Sequence, residues 1–140
     1  LLAASAMNAM MVRNQDGTIR YWSDGARELY GWEPQDALGR TSHQLLKTVF
    51  PIPLEVIEEV VRQKGHWEGP LIHERRDGSK VTVVSQWALQ QNPHSPDRSA
   101  TVIEINGLPP GPSSGYFRNE LHSFLNQPQC PGSALCRNLS

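Results

Sequence analysis

The first 129 residues contain no cysteine, and the only two in the chain, Cys130 and Cys136, form a C-x5-C pair near its end. A disulfide framework is therefore excluded for the main body. The plain reading of the pair is two free thiols, and a reducing, cytoplasmic setting is expected. A surplus of charge is also missing, since 13 Lys and Arg stand against 14 Asp and Glu for a formal net charge of −1. That balance leaves no broad electrostatic footprint for nucleic acid or for direct contact with an anionic membrane. No apolar run approaches the roughly 18 to 20 residues that a bilayer-spanning helix needs. The opening LLAASAMNAMM is apolar without a basic segment ahead of it, so it reads as a chain beginning inside a structural element and not as a signal peptide. Catalytic fingerprints are missing as well: there is no G-x-S-x-G elbow, Walker A loop, H-E-x-x-H or glycine-rich dinucleotide motif. Glu58 and Glu59 are adjacent, so on a helix they diverge and cannot serve one substrate. No histidine pair has metal-ligand spacing.

What is present suffices for one domain. Hydrophobic residues fill 38% of the positions, enough for a core at this length. Composition changes near Gly107. The 34 residues from there to Ser140 hold five Pro, four Gly and five Ser but only three charges, so 107–140 reads as an irregular tail. Within it, Tyr116 to Leu125 has the spacing of a short helix, with Phe117, Leu121 and Phe124 on one side.

In the body, 1–106, two Asp-Gly pairs separate strand-like runs and mark hairpins with positive φ at their centres. Asp16-Gly17 divides AMMVRN from TIRYW, and Asp77-Gly78 divides WEGPLIHERR from SKVTVVSQWAL. In the second hairpin the alternation places Trp67, Gly69 and Leu71 on one face, matched by Val81, Val83, Ser85, Trp87 and Leu89 on its neighbour. A fifth strand is expected over Ser99–Ile105. Between the hairpins lie three short helical patterns. Ser23 caps DGARELY, with Ala26, Leu29 and Tyr30 on one stripe and Gly31 as its stop. Thr41 and Gln44 have the spacing of a capping box ahead of Leu45 and Leu46. Pro53 opens LEVIEEVVRQK, whose Leu54, Ile57 and Val61 form an apolar stripe and which Gly65 ends. Two strands, three helices and three strands fit one antiparallel sheet with helices over one face, an α+β fold.

These stretches resemble a PAS domain, in the form common in bacterial sensor histidine kinases. The likeness rests on D-G-x-I-x-x-W, A-x-x-L-Y-G-W, a Gly-Arg pair, W-x-G and R-R-D-G-S, in that order, from about Ala6 to Asn106. It implies a PAS fold with a five-stranded antiparallel sheet cupped by short helices. It also implies a sensory module that holds a small ligand between helices and sheet and couples to an output kinase or regulator domain. Any kinase chemistry would then lie in other domains.

The expected lining of that cup is Leu29, Leu45, Leu46, Ile57, Val61, Trp67, Leu71, Val83, Ser85 and Trp87. The alternative is that these side chains fill the space, leaving a protein-interaction and dimerisation module without a ligand. The cofactor is unknown. A covalent flavin adduct is disfavoured because TSHQLLK, where such relatives carry a reactive cysteine, has none. Axial-histidine haem is disfavoured because the long helix, Leu54 to Lys64, has no histidine. His43 lies one helix earlier and reads as an exposed helix-start residue, and Arg75 and Arg76 read as a solvated hairpin tip. The outer sheet face, with Glu68, Glu74, Thr82, Val84, Gln86 and Ala88, is expected to pair with an N-terminal helix and a second subunit in a homodimer. Relatives continue from the last strand into a charged helical connector, which Gly107-Leu108-Pro109-Pro110 replaces here. A rigid helical output from this end is therefore not expected.

Overall fold

The computed structural model describes residues 8–91 and 100–109. The segment LLAASAM, His94, Ser99, His122, the Tyr116–Leu125 pattern and both cysteines lie outside the described residues. The chain runs through β1 (Ala9–Asn14) and β2 (Ile19–Trp22), then α1 (Asp24–Tyr30), α2 (Pro34–Ala37), α3 (Ser42–Leu45) and α4 (Leu54–Lys64). It then forms β3 (His66–Glu74), β4 (Lys80–Gln91) and β5 (Ala100–Gly107). The strands make one antiparallel sheet in the order β2-β1-β5-β4-β3, so the last strand enters beside the first. Five strands with short helices over one face is the expected architecture. The last strand runs on to Gly107, two residues beyond the expected Ile105.

Both Asp-Gly pairs make hairpin turns, but of a different kind from the one expected. In each, the glycine alone has positive φ, at +95° in Gly17 and +89° in Gly78. Gly17 N–H donates to Asn14 O and Asn14 N–H to Thr18 O, and the Arg75–Ser79 turn repeats this pattern. These are three-residue loops, a type I turn closed by a left-handed glycine. Asp16 and Asp77 accept from the backbone N–H two residues ahead, at 2.9 Å in both turns, which fixes the loop. The Thr18 N–H holds the exposed Asp16 carboxyl below its usual pKa, and the Ser79 hydroxyl, donating at 2.6 Å, and then the Ser79 N–H do the same for Asp77.

The midsection has one more helical turn than expected, α2, with Pro34 in its first turn, where a missing N–H costs nothing. Ser23 caps α1 as expected, accepting from Ala26 N–H at 3.1 Å, and it also accepts from Met10 N–H at 2.9 Å, pinning the helix to β1. The capping box on α3 does not form. Thr41 makes no side-chain cap bond and instead joins Thr18 in a short antiparallel bridge. Gly31 and Gly65 end α1 and α4 in left-handed conformation.

β2 carries a bulge. Its partners on β1 run Met11 with Trp22, Val12 with Tyr21 and Arg13 with Ile19, which skips Arg20. The extra residue turns both Ile19 and Trp22 inward although they are three apart. On the far edge, Val49 and Ile72 exchange both backbone hydrogen bonds, so the loop before α4 covers part of β3. One main core lies between helices and sheet, and burying each large aliphatic side chain there contributes roughly 1.5–3 kcal/mol.

Candidate functional site

The sheet face under the helices is set by strand register. Trp67 sits opposite Trp87, Gly69 opposite Ser85 and Leu71 opposite Val83. Nine of the ten expected cup residues are buried, and Trp67 is half-buried against them. Leu29 comes from α1, Leu45 and Leu46 from the α3 turn, and Ile57 and Val61 from α4, so the midsection does roof Val83 and Trp87. Gly69 is what lets the tryptophans meet: a Cβ there would lie 2.5 Å from Trp67 Cζ2. The Trp67 and Trp87 rings pack edge to face at 5.3 Å, and Trp87 Nε1–H donates to Ser85 Oγ at 2.9 Å.

A charged network not expected from the sequence crosses the same face. Arg13 on β1 and Glu104 on β5 are 2% exposed, and Arg13 Nε donates to Glu104 Oε1 at 3.1 Å. Asn106 Nδ2 donates to Glu104 Oε2 at 3.0 Å, and His73 Nε2 lies 3.9 Å from the same oxygen. Tyr30 hydroxyl and His73 Nδ1 are 2.6 Å apart. The tautomer that suits both neighbours carries its proton on Nε2, towards Glu104, and leaves Nδ1 to accept from Tyr30 O–H.

Electrostatics follow from burial. Burial pushes the Glu104 carboxyl up, but the Arg13 charge above all, then the histidines and the Asn106 amide, outweigh it and hold the carboxyl below the usual range. Burial pushes the Tyr30 hydroxyl well above its ordinary value, reinforced by Glu104, so it stays protonated. Burial likewise lowers His73 to about 4. His43 is also lowered to about 4, by burial and then by the Arg13 charge. At neutral pH the region thus holds one cation, one anion and two uncharged imidazoles.

His43 therefore corrects the expectation of an exposed side chain. It opens α3, but its ring turns inward, stacking on Trp87 at 6.1 Å and meeting Phe50 edge-on at 5.2 Å. Arg75 is another correction: its Nε donates to Leu29 O at 2.9 Å, tying the second hairpin tip to the end of α1. Arg76 lies over the Trp32 ring at 5.2 Å.

Where α4 meets β1, β4 and β5, the face leaves a cleft of about 40 Å³. Val61, Trp87, Leu89 and Val102 give it apolar walls, and Arg13, Gln15, Glu58 and Arg62 give it polar ones. The Arg13 guanidinium stacks 4.1 Å from the centre of the Trp87 ring. Its Nη2 is buried without a hydrogen-bond partner. Of the expected cup residues only Val61 and Trp87 reach this cleft, whereas Leu29, Leu46, Leu71 and Val83 belong to packed core.

The PAS fold family model matches residues 1–101. The chain belongs to the PAS family. Solved structures agree at the level of fold. A PAS domain from Colwellia psychrerythraea superposes with a TM-score of 0.58 at 18% identity, covering 71% of this chain and 84% of that one. The light-state structure of the Aureochrome1 LOV photoreceptor gives 0.64 at 17% identity, over 85% and 91%. Drosophila melanogaster Cycle PAS-B, solved with bound ethylene glycol, gives 0.59 at 17% identity, over 71% and 97%. No curated protein sequence matches significantly. As a PAS domain the chain is a signal-transduction module, and its helix–sheet cup is the site to consider. No described helix is long and apolar enough to cross a membrane.

Proposed function

We propose that this PAS domain senses a small molecule held in the helix–sheet cup and passes its occupancy to an output domain, in the cytoplasmic setting of a two-component sensor histidine kinase. The observation that carries ligand sensing is the cleft beside Trp87, lined in part by a buried arginine with a donor to spare. A protein core rarely leaves such a donor unmet, because an unsatisfied buried polar group costs roughly 1–3 kcal/mol. The kinase setting draws on the motif likeness alone. Catalysis is assigned to other domains, as the motif likeness implies.

A homodimer belongs to the same reading. The outer sheet face presents Met10, Val12, Val84, Ile103 and Ile105, all half-buried and apolar, around the central strands, with Tyr21 exposed at the edge. Such a face fits a second copy together with the N-terminal segment. Light scattering at tens of micromolar is expected to show a dimer, and a monomer would remove this part of the proposal.

A second reading has its own support. Leu46, Ile57, Leu71 and Val83 are at most 1% exposed, so most of the cup is already filled. On that reading the module only dimerises and docks. Thermal unfolding of the full chain against a panel of small molecules separates the two, because a ligand that binds only the folded state raises the melting temperature. A concentration-dependent rise supports sensing. A dimer indifferent to every compound supports the filled core.

A further inference from the structure

We propose that the cleft takes a small uncharged molecule anchored by an oxygen acceptor on Arg13 Nη2, and neither an organic anion nor a flat aromatic cofactor. This deepens the sensing proposal and rests on it. The first argument is size. About 40 Å³ is room for roughly three or four water molecules, whereas an engineered cavity of about 150 Å³ is what holds a benzene ring. A flavin or haem would require the packed core to open, and a molecule of a few heavy atoms would not.

The second argument is the orphan donor. Of the Arg13 guanidinium groups, Nε is committed to Glu104, and Nη2 is buried with no acceptor. Arg13 and Trp87 both line the cleft, and their stacking at 4.1 Å sets the guanidinium against the indole face. A carbonyl or hydroxyl oxygen meeting Nη2 would complete the arginine, with any alkyl part against Val61, Leu89 and Val102.

The third argument is charge. Arg13, the one buried cation at the cleft among the described residues, is already neutralised by Glu104 at 3.1 Å. Of the other charged residues lining it, Arg62 is paired with Glu59 at 2.9 Å, and Glu58 would repel an anion. His43 and His73 add no positive charge at neutral pH. A second carboxylate beside Glu104 would be a desolvated anion without a counterion, which interiors do not tolerate. An uncharged acceptor satisfies Nη2 without that penalty.

The experiment uses the full chain and three probes of similar size: acetamide, acetate and xenon. Nitrogen-resolved NMR follows the Arg13 side-chain N–H groups and the Trp87 indole N–H during each titration. Acetamide is expected to saturate shifts at both groups and to bind at least 10-fold more tightly than acetate. Arg13→Lys, which keeps a cation for Glu104 but removes Nη2, is expected to weaken acetamide at least 10-fold and leave xenon unchanged. Should that variant fail to fold, the Arg13 Nη2 proton signal of the unmodified protein decides alone, because a new acceptor must move it. If acetate binds as tightly as acetamide, the uncharged class is wrong. If only xenon binds, the cleft is an apolar site, which overturns the anchor but leaves ligand sensing standing. If none of the three binds, ordered waters alone satisfy Arg13, and the anchor falls together with the small-ligand reading of this cleft.

Discussion

Removing the charge of Glu104 tests whether Arg13 and Glu104 act as a desolvated pair. In Glu104→Gln the side chain keeps its shape and still accepts from Asn106, but Arg13, 2% exposed, loses its counterion. Breaking a buried ion pair in this way costs about 3–5 kcal/mol, because one charge stays behind in low dielectric. For a domain of this size, each 1 kcal/mol moves the melting temperature by about 4–8 °C, so a drop of at least about 12 °C is expected. Against a total stability of about 5–15 kcal/mol, the variant sits near the edge of folding. Adding Arg13→Met removes the stranded charge, and Arg13→Met/Glu104→Gln is expected to be more stable than Glu104→Gln alone. Urea unfolding of the four proteins in the cycle should give a coupling energy of at least about 2 kcal/mol, within the range seen for groups in direct contact. Single variants that each cost under about 1 kcal/mol and add without coupling would refute the reasoning, because that is how solvated surface pairs behave.

Acid should loosen the fold before the ordinary carboxylate range is reached. His43 and His73, both lowered from 6.5 to about 4, stay uncharged in the folded state while the unfolded chain takes up protons. Stability is thus complete above about pH 6.5 and falls as pH drops towards 4, and the lowered Glu104 carboxyl adds a loss at the acid end. Melting temperature followed from pH 7.5 to 4.5 should decline through this window, and a flat profile would contradict the burial of both rings. Ser85→Ala should cost about 1–3 kcal/mol in chemical unfolding by leaving Trp87 Nε1–H buried without its acceptor. Ser23→Ala should cost about 1–2 kcal/mol, since its hydroxyl serves both the α1 cap and β1, whereas Thr41→Ala should stay within about 0.5 kcal/mol because no cap bond is lost. Equal losses in the two caps would contradict that assignment.

The fold and most of the cup walls were legible because β4 and α4 repeat their apolar residues at the period of their own structure, and the Asp77-Gly78 turn carries the register of β4 to β3. Val83 and Trp87 point inward in β4 while Val84 and Ala88 do not, and Ile57 and Val61 repeat on the buried side of α4. The charged network was not legible in that way. Period 2 carries the Trp67, Gly69 and Leu71 face on to His73, but AMMVRN and ATVIEING are apolar on both faces, so their alternation names no inner side for Arg13 and Glu104. The signal lies in the register. With Met11 opposite Glu104 and Arg13 opposite Val102, the two charges are diagonal neighbours on the face that also carries Ala9 and Met11. Pairing of the first and last strands is a long-range fact that no local window contains. His43 was misread because a helix of four residues has too little periodicity to define a face, and the stacking on Trp87 decides its direction.

A crystal structure of the full chain as purified, inspected where Arg13, Trp87 and Val102 converge, tests small-molecule sensing most directly. Density for a non-protein molecule of a few atoms within hydrogen-bonding distance of Arg13 Nη2 is the predicted result. A gap closed by protein side chains, with Nη2 donating to a group of the chain itself, would contradict it.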